Sequence, residues 1–103
     1  MKKITIFYFE GCPNYDPTVT LIQRVLDELG IEAVVESVEV RGSDDAQRLR
    51  FFGSPTVHVE GADIDPATEG RSDYGISCRK YGPSGTPSRN MVVEALEKIE
   101  GES

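Results

Sequence analysis

Apolar and polar positions follow two periods along this chain, and each change of period marks a new element. From Lys3 to Phe9 the run is almost unbroken, with Ile4, Ile6, Phe7, Tyr8 and Phe9 around a single Thr5. A short run of β-branched and aromatic residues predicts a central strand covered on both faces. Val19, Ile22, Val25, Leu26 and Leu29 then recur at spacings of three and four, while Gln23, Arg24, Asp27 and Glu28 fall opposite. That is the stripe of an amphipathic helix, which Gly30 closes. Two starts fit it: Asp16 as N-cap with Pro17 in the first helical position, or Pro13, with a kink at Pro17. Glu32 to Val40 predicts a second strand, with Val34, Val38 and Val40 on one face and Ser37 and Glu39 on the other. Ala33 and Val35 make that other face partly apolar. Ser43 is placed to cap a short helix with Asp44 and Asp45 in its first turn. Ala46, Leu49 and one of Phe51 and Phe52 face inward from it.

Gly53-Ser54-Pro55-Thr56 stops this helix and opens a third strand, Thr56 to Glu60, with Val57 and Val59 inward and His58 outward. Residues 61–74 hold Gly, Asp, Pro, Ser and Thr and little that is apolar, so they predict a loop inserted into a hairpin. The hairpin's second strand is expected at Gly75 to Tyr81. Gly82-Pro83-Ser84-Gly85 is a second loop, without the lysine or glycine spacing of a nucleotide site. The last helix starts near Thr86 or Ser88, with Pro87 suited to its first position, and buries Val92, Ala95, Leu96 and Ile99. The predicted order is β-α-β-α-β-β-α. A right-handed first βαβ unit and a closing antiparallel hairpin give a four-stranded mixed sheet with helices on both faces.

Composition narrows the class. The 103 residues suffice for one domain, expected to span 1–103, and not for two. Both signs of charge are spread along the chain, and the net charge is −7. That balance fits a folded domain better than a disordered tail, and it argues against nucleic acid and against an anionic membrane surface as partners. No apolar stretch approaches the ~20 residues of a transmembrane helix. Met1-Lys2-Lys3 and the run after it mimic a signal peptide, but the run stops at Glu10-Gly11 with no small-residue cleavage site. The expectation is an intracellular, cytoplasmic protein. Two cysteines, Cys12 and Cys78, are too few for a disulfide framework; in a reducing compartment such a pair is redox-active, metal-binding or inert.

The first strand delivers Cys12 to a strand-to-helix turn, Glu10-Gly11-Cys12-Pro13-Asn14-Tyr15-Asp16-Pro17. Such turns favour activated thiols, which need exposure and a positive potential. The turn supplies exposure and backbone N–H groups at the helix start supply potential, while Glu10 and Asp16 oppose it. From the residues alone, Cys12 is a nucleophile or a semi-buried, unreactive cysteine. Cys78 is a resolving thiol, the second sulfur of a two-coordinate metal site, or a small apolar residue of an edge strand. Arg79 and Lys80 lower the thiol pKa if they reach it and are solvated edge charges otherwise. Tyr15 is placed to hydrogen-bond a thiolate or substrate, or to stand as a partly exposed aromatic beside the site. His58, alternating outward between two valines, reads as a solvent-facing imidazole and not as a general base. Asp63, Asp65, Glu69 and Asp73 miss the spacing of a calcium loop and read as a solvated acidic loop.

The order of elements, with Cys12-Pro13 after the first strand and Ser54-Pro55-Thr56 before the third, resembles the thioredoxin fold. More narrowly, Phe-Glu-Gly-Cys-Pro-Asn, Gly-Ser-Pro-Thr and Gly-Ile-Ser-Cys-Arg-Lys-Tyr resemble a group of small bacterial thioredoxin-like proteins, some with selenocysteine at the position of Cys12. The resemblance implies Cys12 as nucleophile, Pro55 as a cis-proline beside it, and Ser54 as a residue whose backbone pairs with substrate, with Pro13, Tyr15 and Thr56 completing the substrate surface. The chain departs from Cys-X-X-Cys, because Tyr15 stands at the fourth position. Cys12 then works alone or is resolved from a distance.

Three function classes follow. The first is a thiol–disulfide oxidoreductase in which Cys12 attacks a protein disulfide or the disulfide of a low-molecular-weight thiol, resolved by Cys78 or an external thiol. The second is a protein that holds a soft metal through Cys12 and Cys78. The third is a non-catalytic thioredoxin-like adaptor. No organic cofactor is implied, and the oligomeric state is left open, a homodimer included.

Overall fold

The apolar run at the start of the chain becomes a central strand, β1 (Lys2–Tyr8), with Ile4 and Ile6 wholly buried. In a computed structural model of the chain the described residues are 2–65, 68, 70–72, 74–75, 79, 81 and 85–102, the last five by backbone alone. β1 pairs parallel with β2 (Ala33–Glu39) and antiparallel with β3 (Thr56–Val59). β3 in turn pairs antiparallel with β4 (Ala62–Asp63), giving a mixed sheet in the order β2-β1-β3-β4. Three helices join these strands: α1 (Tyr15–Leu29), α2 (Ser43–Leu49) and α3 (Arg89–Glu102).

Because side chains of a strand alternate between faces, β1 builds two cores at once. Ile4 and Ile6, with Val57 and Val59 of β3, pack against Ile22, Val25 and Leu26 of α1 and Val92 and Leu96 of α3. Phe7 points the other way and packs with Val40 and with Ala46 and Phe51 in and just after α2. Helices therefore cover both faces, and the α/β class with its mixed four-stranded sheet is the one expected. Among the described residues, the apolar cluster on the second face lies at the end where β1 finishes. Nearer its start, Lys3 and Glu36 form an exposed ion pair at 3.3 Å, and Val34 is 50% exposed, although the strand pattern placed it inward with Val38 and Val40.

The hairpin differs from expectation. Glu60 and Gly61 both adopt positive φ, 52° and 84°, as a two-residue hairpin turn of mirror-image type requires. The chain therefore reverses at once, and Ala62–Asp63 pairs with β3 directly after the turn. Of the strand expected at 75–81, Gly75, Arg79 and Tyr81 are described: Tyr81 is in an isolated bridge and the Arg79 N–H donates to the Ser54 carbonyl at 3.0 Å, while the rest lies outside the described residues. Glutamate at the first turn position hid the turn, since Asn, Asp or Gly is usual there.

Three helix ends also shift. α1 begins at Tyr15 with Asn14 as N-cap, two residues before the start predicted with Asp16 as N-cap and Pro17 first. Pro17 then falls in the first turn, where its missing N–H has no intrahelical partner to lose. Thr18 is buried on α1, its hydroxyl bonded to the Asn14 carbonyl at 2.7 Å, and Leu29 is 36% exposed, against the predicted stripe. Gly42, not Ser43, caps α2, and the Asp45 carboxylate reaches back to the Arg41 N–H at 3.2 Å. Ser88 caps α3, its hydroxyl accepting from the Met91 N–H at 3.1 Å, so Pro87 lies just outside the helix.

Truncating Leu96, which is wholly buried, to alanine is expected to cost about 2–5 kcal/mol of stability. Val34→Ala on the bare part of the second face should stay within about 0.5 kcal/mol. Urea midpoints at constant slope check both, and equal losses would contradict this assignment of the core.

Candidate functional site

Cys12 stands at the end of β1, in the turn that leads into α1. The turn closes on itself: the Cys12 N–H donates to the Phe9 carbonyl at 3.3 Å, and the Tyr15 N–H donates to the Cys12 carbonyl at 3.4 Å. Gly11 lies at φ 87°, a conformation glycine adopts without strain. The Cys12 thiol is free and half-buried. Two residues on, Asn14 caps α1 without a side-chain hydrogen bond; the Tyr15 N–H is used on the Cys12 carbonyl and Pro17 has none, so what the helix end offers Cys12 is chiefly the positive end of its dipole. The Asn14 side chain lies instead against Gly85, where an added Cβ would come within 2.3 Å of its nitrogen. That contact requires glycine at 85, and it brings the loop before α3 to the side of the turn.

Pro13 is exposed and Tyr15 is half-buried. The Tyr15 ring stacks on Tyr8 at 4.3 Å, and its hydroxyl shares a 2.7 Å hydrogen bond with Ser37 of β2. In this arrangement the hydroxyl is engaged with β2 and the ring forms one wall of the site.

Opposite the Cys12 turn is the segment before β3. Thr56 pairs with Phe7, which places Ser54 across from Phe9, and the Phe9 N–H donates to the Ser54 hydroxyl at 3.4 Å. The Ser54–Pro55 bond is cis. Ser54, Pro55 and Thr56 are buried, and both hydroxyls are used internally: Ser54 accepts from Phe9, and Thr56 donates to the Gly53 carbonyl at 2.6 Å. The sheet thus brings Cys12, Pro13, Tyr15, Ser54, Pro55 and Thr56 to one end. Cys78 and Lys80, and with them the expected sulfur pair, lie outside the described residues, as do Glu69 and Asp73.

Sequence reasoning missed the most strongly organised polar group. Arg79 is 6% exposed and makes a bidentate pair with Asp63, at 2.7 and 2.8 Å, with a further 3.3 Å bond to the Thr56 hydroxyl. Its guanidinium lies 4.4 Å over the Tyr81 ring, and Asp65 approaches at 4.0 Å. Arg79 is therefore neither a solvated edge charge nor a partner of Cys12, and Asp63 and Asp65 are not a solvated acidic loop. Burial pushes the Tyr81 hydroxyl far above its usual range, so it stays a neutral donor, bonded to the Pro55 carbonyl. His58 is likewise buried, against the outward reading. It sits edge-on to Phe7 at 4.7 Å on the second face of the sheet, directly across the hairpin from Asp63. The sequence offered three basic residues, Arg71, Arg79 and Lys80, beside the acids of this segment, and nothing in periodicity reveals which of them is buried against Asp63.

A cavity of about 870 Å³ runs along β4, lined among others by Phe52, His58, Arg71, Tyr74 and Met91. None of the six residues gathered around the thiol lines it. Among the described residues there is no group of three or more His, Cys, Asp or Glu able to hold a metal ion, and no helix is long and apolar enough to cross a membrane.

Compared with family models and with curated proteins, the chain matches none. Among solved structures it is similar to a selenoprotein W-related protein from Vibrio cholerae, with a TM-score of 0.53 over 95% of each chain at 17% identity. At that identity the likeness is one of fold. The fold is the thioredoxin-like α/β arrangement.

Two outcomes follow from the buried polar group. Burial, with Arg79 and Arg50, lowers the His58 pKa, and Asp63 only partly opposes this. The unfolded chain takes up the His58 proton near pH 6.5 and the folded protein only at lower pH. Stability should therefore be fully present above about pH 6.5 and decline as pH falls toward the folded value. His58→Gln should flatten the decline below about pH 6.5, measured by denaturant midpoints across pH. Asp63→Asn leaves a buried guanidinium uncompensated and should cost about 3–5 kcal/mol, while removal of the exposed Lys3–Glu36 pair should cost less than about 1 kcal/mol.

Proposed function

We propose that this protein is a thiol–disulfide exchange protein in which Cys12 is the attacking thiol. The observation that carries the reading is the placement of a free, half-exposed sulfur just ahead of the α1 N-terminus, backed by the Ser54–Pro55–Thr56 turn. Helix N-termini favour the thiolate form of a neighbouring cysteine, and a rigid sheet end fixes its direction of approach. The likeness of fold to a selenoprotein W-related protein is consistent with a redox role.

In the proposed step the Cys12 thiolate attacks one sulfur of a disulfide. A Cys12–substrate disulfide forms, the substrate S–S bond breaks, and the second substrate sulfur leaves as a thiolate that takes up a proton. A second thiolate then attacks the mixed disulfide and releases the first substrate sulfur. With Tyr15 in place of a neighbouring cysteine, that thiolate comes from Cys78 or from an external thiol such as glutathione. Pro13 and Tyr15 are the neighbours accessible to a substrate; Ser54, Pro55 and Thr56 form the wall behind the sulfur.

Mass spectrometry after incubation with glutathione disulfide tests this. The expected result is one glutathione adduct on Cys12, absent in Cys12→Ser and reversed by added thiol. A Cys78→Ser variant that accumulates the adduct, where the native protein passes to an internal disulfide, assigns resolution to Cys78. A folded protein whose Cys12 forms no adduct and resists iodoacetamide overturns the reading.

A further inference from the structure

The Asp63–Arg79 pair is the one buried ion pair among the described residues, and it lies apart from the thiol. Its contacts nevertheless lead to the Cys12 turn by consecutive hydrogen bonds. The Arg79 side chain is fixed on β4 by Asp63 and on the start of β3 by Thr56. The Arg79 backbone N–H donates to the Ser54 carbonyl at 3.0 Å. Two residues on, the Tyr81 hydroxyl donates to the Pro55 carbonyl. Ser54 is in turn the acceptor for the Phe9 N–H, and the Phe9 carbonyl is the acceptor for the Cys12 N–H. Ser54, Pro55 and Thr56 are buried, and so is Arg79, so solvent does not compete for these groups.

We propose that the Asp63–Arg79 pair is a positioning element for the thiol: it clamps the Ser54–Pro55 turn from the side of the Arg79–Tyr81 strap, and that turn holds the Cys12 turn through Phe9. This rests on the reading of Cys12 as the attacking thiol. Arg79 does not touch the sulfur or the substrate; it acts through Ser54. A bidentate guanidinium suits the task, because two parallel hydrogen bonds fix orientation as well as distance, which a lysine ammonium does not. A misplacement of about 1 Å at a reacting group costs up to ~100-fold in rate. The two long links, Phe9 to Ser54 at 3.4 Å and Cys12 to Phe9 at 3.3 Å, are the ones a loosened clamp would break first.

The test uses the full chain and bis(2-hydroxyethyl) disulfide, a small uncharged probe, with the exchange rate of Cys12 measured in protein shown to be folded by near-ultraviolet circular dichroism. Arg79→Lys and Ser54→Ala should each slow exchange by roughly tenfold. The double variant should be no slower than the slower single one, because both lesions cut the same chain of contacts. The Cys12 amide resonance should move in both single variants, while that of Val34 does not. Unchanged rates, multiplicative losses, or an unmoved Cys12 resonance overturn the proposal. If Arg79→Lys does not fold, Tyr81→Phe decides: it loses one hydroxyl, several-fold slower exchange is expected, and an unchanged rate overturns the proposal. A native protein that fails to react with the probe overturns the reading of Cys12 itself, which separates the two failures.

Discussion

The Asp63 carboxylate and the Arg79 guanidinium meet where little water reaches them, and much of that end of the sheet is arranged around their meeting. Removing two charges from water is costly, and only good geometry with further hydrogen bonds offsets it. Here the geometry is bidentate, the Thr56 hydroxyl takes a further N–H, and the Tyr81 ring covers the cation. Such a pair contributes modestly to net stability, but it tolerates few alternative arrangements, because each displaced charge would be left uncompensated. The consequence is positional. The short hairpin of β3 and β4, the turn before β3 and the strap through Arg79 and Tyr81 share one polar node.

A second constraint comes from β1. Its alternating side chains feed two cores, so the strand cannot shift register by one residue without turning Ile4 and Ile6 out of the α1–α3 layer and Phe7 out of the α2 layer. The turn after β1 inherits that fixed position. Cys12 therefore follows a central strand of fixed register, next to the first turn of α1, and its neighbours across the sheet are set by the pairing of Phe7 with Thr56. Tyr15, stacked on Tyr8 and bonded to Ser37, stands where a second sulfur would otherwise close a local disulfide. The turn itself therefore holds one sulfur, that of Cys12.

Much of this was legible in the chain. The unbroken run at Ile4–Phe9, the three-and-four spacing from Val19 to Leu26 and the stripe of Val92 and Leu96 reported periodicity that survives folding, because burial depends on local repeat. The turn carrying Cys12 and the Ser54–Pro55 segment were located for the same reason. What stayed hidden depended on contacts between distant residues. Arg79 and Asp63 meet across sixteen positions, and neither carries a mark of its partner. His58 alternates as a surface residue should, yet it is covered by side chains from other segments. The hairpin was misplaced because Glu60 occupies a left-handed turn position that its chemistry does not advertise.

The central claim is that the strap through Arg79 is pinned to the turn behind the thiol rather than lying loosely over it. Amide hydrogen exchange of Arg79 in the native protein measures this directly, since its N–H has the Ser54 carbonyl as acceptor. The account predicts protection close to that of the β3 amides, opening only with that part of the sheet. Exchange at the rate of an unstructured loop, with β3 still protected, would contradict it.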